Sequence, residues 1–211
     1  MSTASVFDRL YERYDQWYLR HQSLAYSELL TVSKALEGLS GPCVEIGVGT
    51  GWFASRLGCD LGVDPSFNML RVARSRGLEV VVGVGESLPL GTGRFSTVLM
   101  VVTLCFVDDP VSVFRESSRI LADGGSLVAC IVPRDSPWGE YYLQLSSMNH
   151  PFYRIARFYT VEEVDELAAG LGLRRTHAYA TLTYPPGVER VEEPRAYQGG
   201  EGFVCLRYSR K

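Results

Sequence analysis

Between residues 43 and 132 short apolar runs alternate with stretches of helical periodicity, and no other feature of the chain limits its fold so tightly. The runs fall at Cys43–Ile46, 61–63, Glu79–Val82, 97–102 and 126–132, with amphipathic spacing at 52–57, 67–76 and 110–121 and a loop at 85–94. Strands that are apolar throughout must be covered on both faces, so their alternation with helices predicts an α/β fold with a parallel sheet between two helical layers. Two later runs, 175–182 and 202–208, flank a segment rich in Pro, Gly and Glu, which predicts an antiparallel hairpin at the sheet edge. Seven strands result.

Ahead of the first strand, Phe7, Leu10, Tyr14, Trp17 and Tyr18, and then Leu29, Leu30, Val32 and Leu36, recur at helical spacing. Gly38 and Gly41-Pro42 close the pattern, which predicts two helices with a break at 21–23. At 211 residues the chain fits one domain: a helical cap at 1–40 and a core at 41–211, with a helical insertion at 133–160 after the fifth strand. A net charge of -3 and the absence of a basic block argue against nucleic acid as a partner. The N-terminus lacks the apolar core of a signal peptide and no run is long enough to span a membrane, so a cytoplasmic protein without membrane attachment is expected. Five cysteines without a CxxC spacing suit buried reduced thiols and offer no metal site.

In a parallel sheet, ligands settle where strands end and helices begin, because backbone amides there are free to donate. The first such turn is Glu45-Ile46-Gly47-Val48-Gly49-Thr50-Gly51, and its glycines allow both a tight turn and close approach of a ligand. Asp64, at the end of the second strand, offers two acceptor oxygens suited to a vicinal diol. The turn also fits a dinucleotide pattern, GxGxxA. However, Glu45 has the wrong charge for a pyrophosphate, and Asp64 follows Gly49 by fifteen residues where the dinucleotide fingerprint has about twenty. A cationic ligand is the better match.

Five elements in order resemble the class I S-adenosylmethionine-dependent methyltransferases, in particular the small-molecule group. They are Glu45 to Gly51, Asp64 to Met69, Glu86 to Pro89, Val98 to Pro110, and Arg119 to Gly125. The resemblance implies a Rossmann-like sheet in the order 3-2-1-4-5-7-6 with strand 7 antiparallel, helices on both faces and an N-terminal helical lid. It implies S-adenosylmethionine as cofactor, S-adenosylhomocysteine as product and no metal. Gly47, Gly49, Gly51 and Glu45 would hold the methionine moiety, and Asp64 the ribose. Pro65, Ser66, Met69, Glu86 and Ser87 would border the adenine, and Thr103 and Leu104 would face the sulfonium. Two positions before Glu86, where many relatives carry an acid, stands Val84, so the adenine amino group would be met by a main-chain carbonyl or by Glu86.

The implied reaction is methyl transfer to a nucleophilic atom of a small molecule, driven mainly by proximity and alignment. The alternative is a non-catalytic sensor of the same cofactor. Aromatic residues in the N-terminal helices (Tyr14, Trp17, Tyr18) and after the fifth strand (Trp138, Tyr142) are candidate substrate contacts, able to hold a cationic or aromatic molecule against ring faces. The histidines at 21, 150 and 177 are assigned no catalytic role, and no general base is identified.

Overall fold

The computed structural model describes residues 2–210. Three N-terminal helices, α1 (Thr3–Arg9), α2 (Tyr11–Arg20) and α3 (Gln22–Leu36), precede β1 (Cys43–Ile46). The core continues with α4 (Ala54–Leu57), β2 (Leu61–Asp64), α5 (Phe67–Ser75), β3 (Glu79–Val82), β4 (Phe95–Val101), α6 (Pro110–Ile120) and β5 (Leu121–Ile131). Then come α7 (Pro137–Ser147), α8 (Val161–Ala169), β6 (Leu173–Thr181), β7 (Arg195–Ala196) and β8 (Phe203–Arg210), with single 3-10 turns at Leu104–Phe106 and Tyr153–Ile155.

The sheet order is β3-β2-β1-β4-β5-β8-β6-β7. The first five strands are parallel, and β8 inserts antiparallel between β5 and β6. This is the expected order with one addition: the two-residue β7, drawn from the Pro- and Gly-rich segment, pairs with β6 and makes eight strands rather than seven. The N-terminal break falls at His21 as expected, but an earlier one at Leu10 splits the first helix in two.

Alternation along each strand builds two cores. Leu99 and Val101 of β4, Val128 and Cys130 of β5, and Phe203 and Cys205 of β8 join residues of α3 on one face. Val98, Met100, Leu127, Ala129, Val204 and Leu206 join α6 and α8 on the other. Side-chain caps fix where helices start: Ser66 accepts from the Met69 amide, Asp109 caps α6 with Pro110 in its first turn, and Thr160 and Glu163 form a capping box on α8. The helix α8 is absent from the sequence reading.

The cysteines depart from the expectation of reduced thiols. Cys130 and Cys205 are register partners on β5 and β8 and are bonded, as are Cys43, at the start of β1, and Cys59, just before the adjacent β2. Cys105 alone is free, and it is buried.

Candidate active site

After Ile46 the chain turns through Gly47 and Gly49 in the left-handed region (φ 70° and 51°). A Cβ on Gly47 would collide with the Thr103 side chain, and one on Gly49 would touch the Tyr14 ring at 3.4 Å. Both glycines line a cavity of about 340 Å³ together with Asp64, Pro65, Met69, Glu86 and Thr103. Asp64 is clamped to the turn, accepting from the Gly49 amide at 2.9 Å and the Ser66 amide at 2.8 Å. Burial nevertheless raises its pKa to about 6, the two amides only partly opposing the shift. Each oxygen keeps a lone pair for a further donor such as a hydroxyl.

Glu45 sits behind this surface rather than on it, only 2% exposed, with its Oε2 atom lacking any hydrogen-bond partner among the described residues. Burial pushes its pKa well above the usual carboxylate range; the Ala54 amide pulls it back in part and the Asp64 charge adds to the rise. The described cavity lining carries the carboxylates of Asp64, Glu86 and Asp108 and no Lys or Arg. That electrostatic setting opposes a pyrophosphate and suits a cationic sulfonium and ammonium. The close-approach glycines and the diol-ready Asp64 fit S-adenosylmethionine, whereas Glu45 does not reach the cavity surface.

Besides Glu45, four candidate contacts do not line the cavity. Gly51 faces α5, where an added Cβ would come within 2.9 Å of Ala73, so it is a packing glycine. Ser66 caps α5, and its hydroxyl donates to Asp8 at 2.8 Å. Ser87 is exposed and absent from the cavity wall, and Leu104 is buried in the core beside Phe114 and Val113. Glu86 reaches the wall, but its Oε1 also accepts from the Asp108 amide, holding the loop before α6. Val84 lies on the wall beside Gly83 and Gly85, whose backbone is what the cavity offers there.

All five candidate substrate contacts line a second cavity of about 500 Å³. From α2, Tyr18 stacks on Trp52 of the glycine turn (centroids 4.5 Å apart, planes 7° apart) and Tyr14 shares a 2.8 Å hydrogen bond with its hydroxyl. From α7, Tyr142 lies 4.4 Å from the Tyr153 ring, and the Trp138 indole donates to the Tyr184 carbonyl at 2.7 Å. Trp138 fits only because position 202 is glycine, since any Cβ there would overlap the indole. The two cavities share Phe7, Tyr14, Val101, Val102 and Phe106 as a common wall. Val102 holds a left-handed backbone (φ 51°), strained for a β-branched residue by about 1–3 kcal/mol.

Sequence reasoning did not single out Phe7, Val102 and Glu28, which line these cavities. None of the three carries a sequence signal: Phe7 and Val102 read as apolar packing positions, and Glu28 as an acid on the wet face of a helix. The N-terminal helices are tied to the core by ion pairs and hydrogen bonds. Asp8 of α1 accepts from the Ser66 hydroxyl and the Asn68 amide, and one guanidinium nitrogen of Arg76 after α5 donates to both carboxylate oxygens of Asp15 of α2 while the other donates to the Thr50 carbonyl of the glycine turn. Among the histidines, His21 pairs with Glu189 at 2.7 Å, His150 stacks on Tyr153 with its pKa lowered by burial and then by Arg13, and His177 is exposed on β6. Among the described residues no group of three or more His, Cys, Asp or Glu could hold a metal ion, and no helix is long and apolar enough to cross a membrane.

Comparison with known proteins places this geometry. Residues 44–129 match the family model described as a methyltransferase domain. An uncharacterized protein of Mycobacterium tuberculosis is 41% identical over 98% of this chain and 74% of its own length. A malonyl-[acyl-carrier protein] O-methyltransferase of Hahella chejuensis is 27% identical over 68% of this chain and 54% of its own. The crystal structure of a Thermotoga maritima S-adenosylmethionine-dependent methyltransferase, described as a "possible histamine N-methyltransferase", superposes with a TM-score of 0.91 at 38% identity, covering 99% of this chain and 100% of that one. Family match, fold and the acid-lined glycine turn agree: the chain belongs to the class I S-adenosylmethionine-dependent methyltransferases.

Proposed function

We propose that the protein methylates a small molecule held in the aromatic chamber. The observation that carries this reading is the common wall: the cofactor cavity and the chamber meet at Phe7, Tyr14, Val102 and Phe106. S-adenosylmethionine supplies an electrophilic methyl carbon on a cationic sulfur. The chain's own residues do the rest. The amides and glycines of the 47–49 turn and the Asp64 carboxylate orient the cofactor, and Thr103 lines the cavity beside Gly47. Aromatic side chains from α2 and α7 position the acceptor and keep water from it. No buried general base is required when the acceptor is already nucleophilic.

The test is methyl transfer from S-adenosylmethionine carrying a labelled methyl group. Purified protein is offered a panel of small acceptors, histamine included because of the T. maritima relative, alongside tRNA and a denatured protein mixture. Label in a small molecule supports the proposal; label only in macromolecules overturns it. Calorimetry that shows S-adenosylhomocysteine binding with no labelling of any extract fraction would instead make the protein a sensor.

A further inference from the structure

Three polar side chains on α3 are buried: Ser27, Glu28 and Thr31. Two are satisfied locally, the Ser27 hydroxyl donating to the Ser23 carbonyl at 2.8 Å and the Thr31 hydroxyl to the Ser27 carbonyl at 2.9 Å. Glu28 differs. It is only 6% exposed and lines the aromatic chamber, and among the described residues no hydrogen bond or cation meets its carboxylate. Resting on the reading of this chamber as the acceptor site, we infer that Glu28 is the counter-ion for an ammonium group and that the substrate is a small organic amine, its apolar or aromatic body held against the surrounding rings.

A buried carboxylate without a partner is costly, and helices seldom keep one facing an apolar space without return. Burial alone pushes the Glu28 pKa up to about 8. Among the described residues no group offsets this. Tyr14 and Tyr18 of α2, Tyr142 of α7 and Tyr153 of the following turn face it closely enough that its charge raises the pKa of each phenol. Arg13 and Arg20 also line the chamber, from exposed positions, as does the His21–Glu189 pair, and none of these draws the Glu28 pKa back down. A ligand that brings its own cation supplies the missing partner, and the faces of the tyrosine and tryptophan rings attract the same charge. A carboxylate or phosphate ligand would meet repulsion instead.

The test uses matched probes that differ only in charge, 2-phenylethylamine against 2-phenylethanol, with further amine–alcohol pairs on imidazole and alkyl skeletons. Binding to the full chain saturated with S-adenosylhomocysteine is measured by calorimetry at a pH near 8. At least one amine should bind about tenfold or more tighter than its alcohol. Glu28→Gln, which keeps the shape and removes the charge, should erase that preference while leaving S-adenosylhomocysteine affinity unchanged. Equal binding of every pair, binding of no amine at roughly 10 mM, or an amine preference that survives in Glu28→Gln overturns the inference. If the variant fails to fold, the wild-type pairs and Glu28→Asp still decide it. Failure of the wild-type protein to bind S-adenosylhomocysteine would strike the underlying methyltransferase reading; failure of the amine preference with that binding intact strikes only the role of Glu28.

Discussion

The two adjoining cavities are built from different materials. The cofactor cavity exposes main chain at four glycines, Gly47 and Gly49 of the turn and Gly83 and Gly85 of the next loop, with Asp64 clamped by two amides. The chamber is shaped by side chains from α1, α2, α3 and α7 and from the loop at 183–192. A backbone surface tolerates almost no addition, because a Cβ cannot rotate away. A side-chain surface tolerates single changes and trades shape for chemistry, so one fold can keep its cofactor and change its acceptor. The sharpest difference is where each region keeps its buried acid: Glu45 lies behind the cofactor cavity's wall, whereas Glu28 lines the chamber itself.

The strongest way to break this contrast is Gly47→Ala. The residue needs a positive φ and its new methyl would collide with Thr103, so S-adenosylhomocysteine affinity should fall by about three orders of magnitude, roughly 4 kcal/mol. Circular dichroism establishes that the variant is folded, and calorimetry reads the affinity. Adding Thr103→Gly should restore part of the loss, leaving the backbone share. An affinity near wild type would mean that the turn yields, and the distinction between the two walls would fall.

Next in size is the stability effect of Glu28→Gln. The carboxyl pKa rises from 4.5 in an open chain to about 8 when buried, so the folded state holds a proton that the unfolded state has lost across that window. Wild-type stability should therefore decline as pH rises from about 4.5 to 8, by roughly 2–4 kcal/mol after allowance for relaxation. Glu28→Gln lacks this decline and should be the more stable protein at pH 8, the two converging near pH 4.5. Urea unfolding at a series of pH values measures it. A parallel pH dependence in both proteins would show that Glu28 has a partner in solution.

Asp64→Ala should weaken S-adenosylhomocysteine by about 1.5–3 kcal/mol, through loss of charge-assisted acceptors, while leaving amine probes bound in the chamber with similar affinity. An equal loss in both cavities would join what the geometry separates.

Much of this division follows from what a sequence encodes locally. Gly47, Gly49 and Asp64, which line the cavity, can be picked out because the turn, its strand and the neighbouring strand end all lie within twenty residues. The sheet order is legible because apolar runs and helical segments alternate. Gly51 is not distinguishable from Gly49 by spacing, since its partner Ala73 comes from a different element. Ser66 carries the motif yet spends its hydroxyl on Asp8, fifty-eight residues earlier. Glu28 is hidden because an acid on an amphipathic helix ordinarily marks the wet face, and only the loop at 183–192 folding back, with the Glu192 amide donating to Ser27, turns that face inward. The bonded pair Cys130 and Cys205, seventy-five residues apart, depends on strand register in the same way.

The smallest expected effect tests the wall between the cavities. Tyr14 presents its ring to Gly49 and to Phe7, with centroids 5.6 Å apart in the latter pair, and its hydroxyl to Tyr18. Tyr14→Phe keeps the ring and removes one hydrogen bond, so affinity for S-adenosylhomocysteine and for an amine probe should each change by less than about 1 kcal/mol. Tyr14→Ala removes the partition and should weaken both by more than that. If the phenylalanine variant loses amine binding selectively, the Tyr14–Tyr18 hydroxyl pair, and not the ring, is what the chamber uses, and Glu28 then acts with a polar partner rather than among ring faces alone.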